Sequence, residues 1–209
     1  MGRLRHIAIE LALHMPFTAL GTAIGGALLF AIAHSGVPDG VLENVFYIFH
    51  PLHILLSAIA TTAMYVKHSE DGARRIKWIW IVSIGYFGTV GLATISDSLI
   101  PYIGETLLRL PSPEAHIGFM ERWWLVNPIA AIGIILGYWR RETRIPHSGH
   151  VLVSTLASLS HMAMALDGSA DWIALLPALL AFLFLAVWLP CCTSDIVLPL
   201  LFTKGEGAH

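Results

Sequence analysis

The chain has 209 residues, of which 56% are hydrophobic and 12% charged, with a mean hydropathy of +0.71 and a formal net charge of −2. Charged residues stand at about half the soluble average of roughly 25%, too few to cover a water-soluble globule, so the composition indicates an integral membrane protein. The near-neutral balance leaves no basic field to hold nucleic acid, and two adjacent cysteines cannot build a disulfide framework.

A membrane helix needs ~20 mainly apolar residues to cross a ~30 Å hydrocarbon core. Six segments approach this in chain order: Ile7–Ala33, Phe49–Val66, Ile76–Ile95, Trp123–Tyr138, Val151–Leu166 and Trp172–Leu189. The first is long, carries Glu10, His14 and Pro16, and shows no clear small-residue cleavage site, so it is expected to be a retained helix rather than a signal peptide. The loop charges give an independent check. With a cytoplasmic N-terminus, Arg3, Arg5, Lys67, Arg74, Arg75, Lys77, Arg140, Arg141, Arg144 and Lys204 fall inside, and only Arg109 and Arg122 fall outside. That bias satisfies the positive-inside rule. The expectation is an all-α protein of six transmembrane helices in the cell membrane, both termini cytoplasmic, with Glu121, Arg122, Trp123 and Trp124 as an interfacial girdle.

Three correspondences recur in order along the chain. Pro16, Ala19, Gly21 and Gly25 match Pro128, Ala131, Gly133 and Gly137. His50, His53, Leu55, Ser57, Ala60 and Thr61 match His147, His150, Leu152, Ser154, Ala157 and Ser158. Ser96, Asp97 and Pro101 match Ser194, Asp195 and Pro199. Each half, residues 7–104 and residues 120–203, holds three expected helices, an odd number. The second half must then enter the membrane in the opposite sense, giving an inverted repeat of the kind common in secondary transporters. The repeated glycines read as small-xxx-small packing pairs, and Pro16 and Pro128 as kinks or breaks.

The repeated histidines and aspartates carry the chemistry. Spacing of three places His50 and His53 on one helical face, and His147 and His150 likewise. Two neutral imidazoles on one face suit Zn, Mn, Fe, Ni or Cu. A carboxylate at or inside a span is costly and rarely faces lipid, which points to function for Asp97 and Asp195; the proline four residues on disfavours regular helix and can free carbonyls as ligands. The expected topology puts His50, His53 and Asp97 toward the outer face and His147, His150 and Asp195 toward the inner face. Two separate sites and one shared site are both open. His161, opposite Met64 in the repeat, can also ligate metal, and Cys191 and Cys192 suit a soft ion at the inner end of the sixth helix. Glu10 and His14 share a face and read as a proton relay or as an interfacial pair.

The stretch from Thr193 to Leu201, with Ser194, Asp195 and Pro199, resembles elements of the multi-spanning heavy-metal (manganese-type) exporter family, as do the histidine-bearing helix openings. In that family two related halves carry similar Ser-Asp and His elements. The resemblance implies proton- or potential-coupled export of a divalent transition metal.

The leading expectation is therefore a carrier for a divalent transition-metal cation, alternating access across an inverted repeat and working as a homodimer, since six short helices leave little room for a gated pathway. Protonation of the imidazoles would release the ion. The alternative is a membrane cytochrome with haem b held by histidines of the second and fifth helices. A third is a membrane-embedded metalloenzyme in which the same cluster activates water. The sequence contains no P-loop, zinc-protease motif or haem-attachment C-x-x-C-H.

Overall fold

The computed structural model describes residues 3–70, 78–140, 144–166 and 172–202. Most of these residues are helical, and there is no strand among them. In chain order they form α1 (Arg3–Ser35), α2 (Asp39–Glu70), α3 (Trp78–Tyr86), a π-turn π1 (Phe87–Gly91), α4 (Leu92–Thr94), π2 (Ile95–Leu99), α5 (Ile100–Leu107), α6 (Gly118–Glu121), α7 (Trp123–Arg140), α8 (Arg144–Met164), α9 (Trp172–Cys192), π3 (Thr193–Val197) and α10 (Leu198–Phe202). Glu10, His14 and His147 have side chains outside the described residues.

Four described helical stretches are long and apolar enough to cross a membrane: Met15–Ile32, Asp39–Lys67, Trp78–Leu107 and Trp172–Asp195. The fourth and fifth expected spans form α7 and α8 but do not reach that standard. In α7 the ends are Trp123, Trp124 and Arg140, and Asn127 interrupts the apolar run. In α8 the cause is burial: Ser154, Thr155, Ser158, Ser160 and His161 turn inward, so the helix is polar where protein covers it. Leu20, Ile48, Phe87, Ile132 and Ile173 are among many large apolar side chains left exposed on the outside of the bundle.

The third and sixth spans run past the ends that the sequence suggests, and the second starts earlier, at Asp39. The third continues past Ile95 to Leu107, and the sixth past Leu189 to Phe202. Proline has no N–H and its ring clashes with the carbonyl four residues back, which for Pro101 and Pro199 is that of Asp97 and of Asp195. The chain relieves the clash by widening into π2 and π3, each ending two residues before its proline. The helix is therefore widened rather than ended. Asp97 sits inside a continuous span, not at its edge. Likewise Pro16 and Pro128 lie within the unbroken α1 and α7.

The most extensive packing joins α2 to α8 and to α7. Phe46 meets His161 and His53 meets His150, so α2 and α8 run antiparallel. Gly133 lies on Leu55 and Ala58, and Gly137 on Ile59 and Thr62, so α2 and α7 run parallel. Equivalently, Gly21 of α1 lies against Thr155 of α8. The first helix of each half thus docks on the second helix of the other. The α7 seam is the tighter one. A Cβ at Gly137 would lie 2.5 Å from the Ile59 carbonyl oxygen, whereas at Gly21 its nearest neighbour is 3.4 Å away. Gly137→Ala must move backbone and is expected to destabilise the bundle by about 1–3 kcal/mol, with Gly21→Ala close to neutral; equilibrium unfolding in detergent micelles measures both, and equal effects would contradict the close approach.

Candidate metal centre

At the crossing of α2 and α8 the buried side chains are polar. His50, His53, Ser57 and Thr61 come from α2, His150, Ser154 and Ser158 from α8, Ser96 and Asp97 from π2, and Ser194 and Asp195 from π3. Spacings of three and four keep each helix's contributors on one face. The π-turns aim the two carboxylates at that face.

Each carboxylate is held by donors from both halves of the chain. Asp97 Oδ2 accepts from His50 Nδ1 at 2.9 Å and His53 Nδ1 at 2.8 Å, while its Oδ1 accepts from the hydroxyl of Ser154 at 2.8 Å. Asp195 Oδ2 lies 2.8 Å from His150 Nδ1, and its Oδ1 accepts from Ser57 at 3.1 Å and Thr61 at 3.2 Å. The flanking serines repeat the crossing. Ser96 bonds Ser154 at 2.8 Å, as Ser194 bonds Ser57 at 2.9 Å.

This arrangement reassigns the aspartates. They lie against imidazole Nδ1 atoms rather than pointing at a common ligand position, and so set the rings with Nε2 on the side away from the carboxylates. His53 and His150 stack, centroids 5.4 Å apart and planes 24° from parallel. Cys191 lies beside them, its Sγ 3.7 Å from His53 Nε2. One ligand atom from each of His53, His150 and Cys191 lies within 4.8 Å of the other two, and all three residues are buried. Ion–nitrogen and ion–sulfur bonds of zinc type place such donors roughly 3.3–3.6 Å apart, so the trio can close on one ion with modest side-chain movement.

The separation of the two histidine groups to opposite faces does not hold: His53 and His150 meet at one place. Both spans continue past their aspartates, and α2 and α8 cross at the level of these rings. Cys191 belongs to the same cluster rather than to an inner-end site, because α9 carries it into the bundle. Cys192 is buried and unbridged. His50 stacks on Phe46 at 5.1 Å, and its Nε2 has no hydrogen-bond partner among the described residues. The backbone of His147 belongs to α8, and its side chain is outside the described residues.

His161 stands apart. Its Nδ1 bonds Glu105 Oε1 at 2.7 Å, and its Nε2 accepts from the backbone N–H of His116 at 3.3 Å. Burial and the neighbouring His161 hold the His116 imidazole below its ordinary pKa range. Of the expected girdle, Trp123 and Trp124 are exposed, Glu121 bonds Tyr47, and Arg122 stacks over the Tyr47 ring at 4.7 Å. Glu105, Phe46 and His116 carried no signal in the sequence. Ser57 and Ser154 did, since they repeat four residues after His53 and His150, but the histidines drew the chemistry.

Comparison with family models, curated proteins and solved structures finds no match to this chain.

The hydroxyls allow a direct contrast. Ser154→Ala deprives the buried Asp97 carboxylate of a donor and is expected to cost about 1–3 kcal/mol. Ser98 is also fully buried, yet its hydroxyl has no hydrogen-bond partner among the described residues, so Ser98→Ala should be neutral or slightly stabilising. Thermal unfolding in detergent compares the two; a larger loss for Ser98→Ala would show that the network has been misassigned.

Proposed function

We propose that the protein is a membrane carrier for a divalent transition-metal cation, bound during transport by Nε2 of His53, Nε2 of His150 and Sγ of Cys191. The observation that carries this reading is the convergence of one ligand atom from each of these three residues, on different helices, in a buried place, with Asp97 and Asp195 beside ring Nδ1 atoms. Carboxylate-backed imidazoles are a recurring feature of metal sites. A donor set of two imidazoles and a thiol favours the softer end of the range, Zn, Ni or Cu, over Mn, which prefers carboxylate and water oxygens. Cargo softer than manganese departs from what the resemblance to manganese-type exporters implies.

In this reading the chain crosses the membrane six times as two inverted three-helix halves. Support comes from the antiparallel α2 and α8, from the reciprocal docking of α7 on α2 and α1 on α8, and from π2 and π3 sharing one register ahead of Pro101 and Pro199. The polar α8 fits a span enclosed by its neighbours, since polar groups at membrane depth are tolerated where protein buries them. Ligands contributed by both halves are what alternating access needs, because rocking one half against the other opens the site to either side. The stacked rings favour an ion over haem, whose porphyrin would have to lie between two axial imidazoles.

Reconstituted into proteoliposomes, the wild type is expected to move Zn2+ and to give a sulfur-to-metal charge-transfer band with Co2+. His53→Ala and His150→Ala abolish flux, and Cys191→Ser removes the band. Asp97→Asn and Asp195→Asn weaken binding by about 10–100-fold by releasing the rings. Undiminished flux in both histidine variants would end the carrier reading.

A further inference from the structure

A second group of titratable side chains lies outside this cluster. A cavity of about 270 Å³ opens where the start of α2, the end of α5, the end of α8 and the segment before α6 come together. Four carboxylates, Asp39, Glu43, Glu105 and Glu114, line it with His116 and His161, and its described lining includes no Lys or Arg. Glu43 also lies 3.8 Å from Arg122, a partly exposed pair.

Glu105 sets this apart from an ordinary acidic surface. It is fully buried, with one carboxylate oxygen committed to His161. The other oxygen, Oε2, has no hydrogen-bond partner among the described residues. Leaving a carboxylate oxygen buried and unsatisfied is expensive, and the usual resolution is a cation or a proton. The His161 contact fixes Glu105 in place, and the cavity has room for an ion that keeps several of its waters. Oxygen ligands with retained water are the donor set of a hard divalent cation.

We propose that this cavity is a second cation site, distinct from the His53–His150–Cys191 cluster, that takes a partly hydrated divalent metal ion with Glu105 Oε2 as its anchoring ligand. Asp39, Glu43 and Glu114 add charge around the ion, directly or through water. His116 is the neighbouring nitrogen donor. The inference does not depend on the central cluster holding metal.

Mn2+ is the probe, because the free aquo ion gives a six-line electron paramagnetic resonance signal that binding suppresses. Full-length wild-type protein in detergent should suppress the signal. Glu105→Gln should raise the dissociation constant by about tenfold or more, since affinity at such sites follows ligand charge. Cys191→Ser, which removes the central thiol, should bind Mn2+ as the wild type does. If Glu105→Gln fails to fold, the doubly substituted Asp39→Asn, Glu43→Gln protein decides, and a clear weakening is expected there. The proposal is overturned if the wild type leaves Mn2+ free, if Glu105→Gln or, failing that, the double variant binds unchanged, or if Cys191→Ser abolishes binding.

Discussion

Two carboxylates buried among apolar helices are the constraint on which this structure turns. Removing such a group from water costs several kcal/mol, and only close, well-aligned donors offset it. Asp97 and Asp195 take their imidazole partners from their own half and hydroxyl donors from the other: Ser154 serves Asp97, and Ser57 and Thr61 serve Asp195. Neither half could bury its aspartate in this manner alone. The interlocking of α2 with α8 is therefore part of the same requirement as the placement of the acids, and the serines that flank both aspartates extend it.

Backbone chemistry makes that placement possible. An ordinary α-helix ahead of Pro101 or Pro199 would drive the ring into the carbonyl of the aspartate four residues earlier. Opening into a π-turn removes the clash and shifts the angular position of the side chains that precede it. The same local solution, reached twice from Ser-Asp followed by proline, gives both acids the same approach to the facing helices. The glycines of α7 complete the fit by letting its backbone lie directly on α2 at Leu55 and Ile59.

The central groups were legible from the sequence because they occur twice. His53 and His150, Asp97 and Asp195, and the serines beside them stood out by repetition, which survives even where hydropathy is weak. Their depth was not legible. A hydropathy pattern ends a span at its first polar residues, so it stopped the third span before Ser96 and Asp97. Cys191 was placed at a helix end for the same reason. The Glu105–His161 pair was invisible on other grounds. His161 stands opposite Met64 in the repeat, Glu105 lies some fifty residues from its partner, and neither belongs to a recurring motif.

The two proposed cation sites differ in their donor chemistry. Oxygen ligands and water at the cavity favour any hard divalent ion and require little dehydration. Phe46 is fully buried, stacked on His50 and edge-on to His161 at 5.6 Å, so its ring touches a residue of each group. An ion held at the cluster as proposed must shed most of its water, at a cost that two nitrogens and a sulfur would have to repay. Mg2+ and Ca2+ bind such donors poorly and dehydrate at a loss, whereas Zn2+ and its neighbours recover the cost in stronger bonds. The Nδ1 contacts to Asp97 and Asp195 already hold the rings in place, so little of that gain is lost to ordering them. On the proposed reading, discrimination between ions belongs to dehydration at the central cluster and not to capture at the acidic mouth.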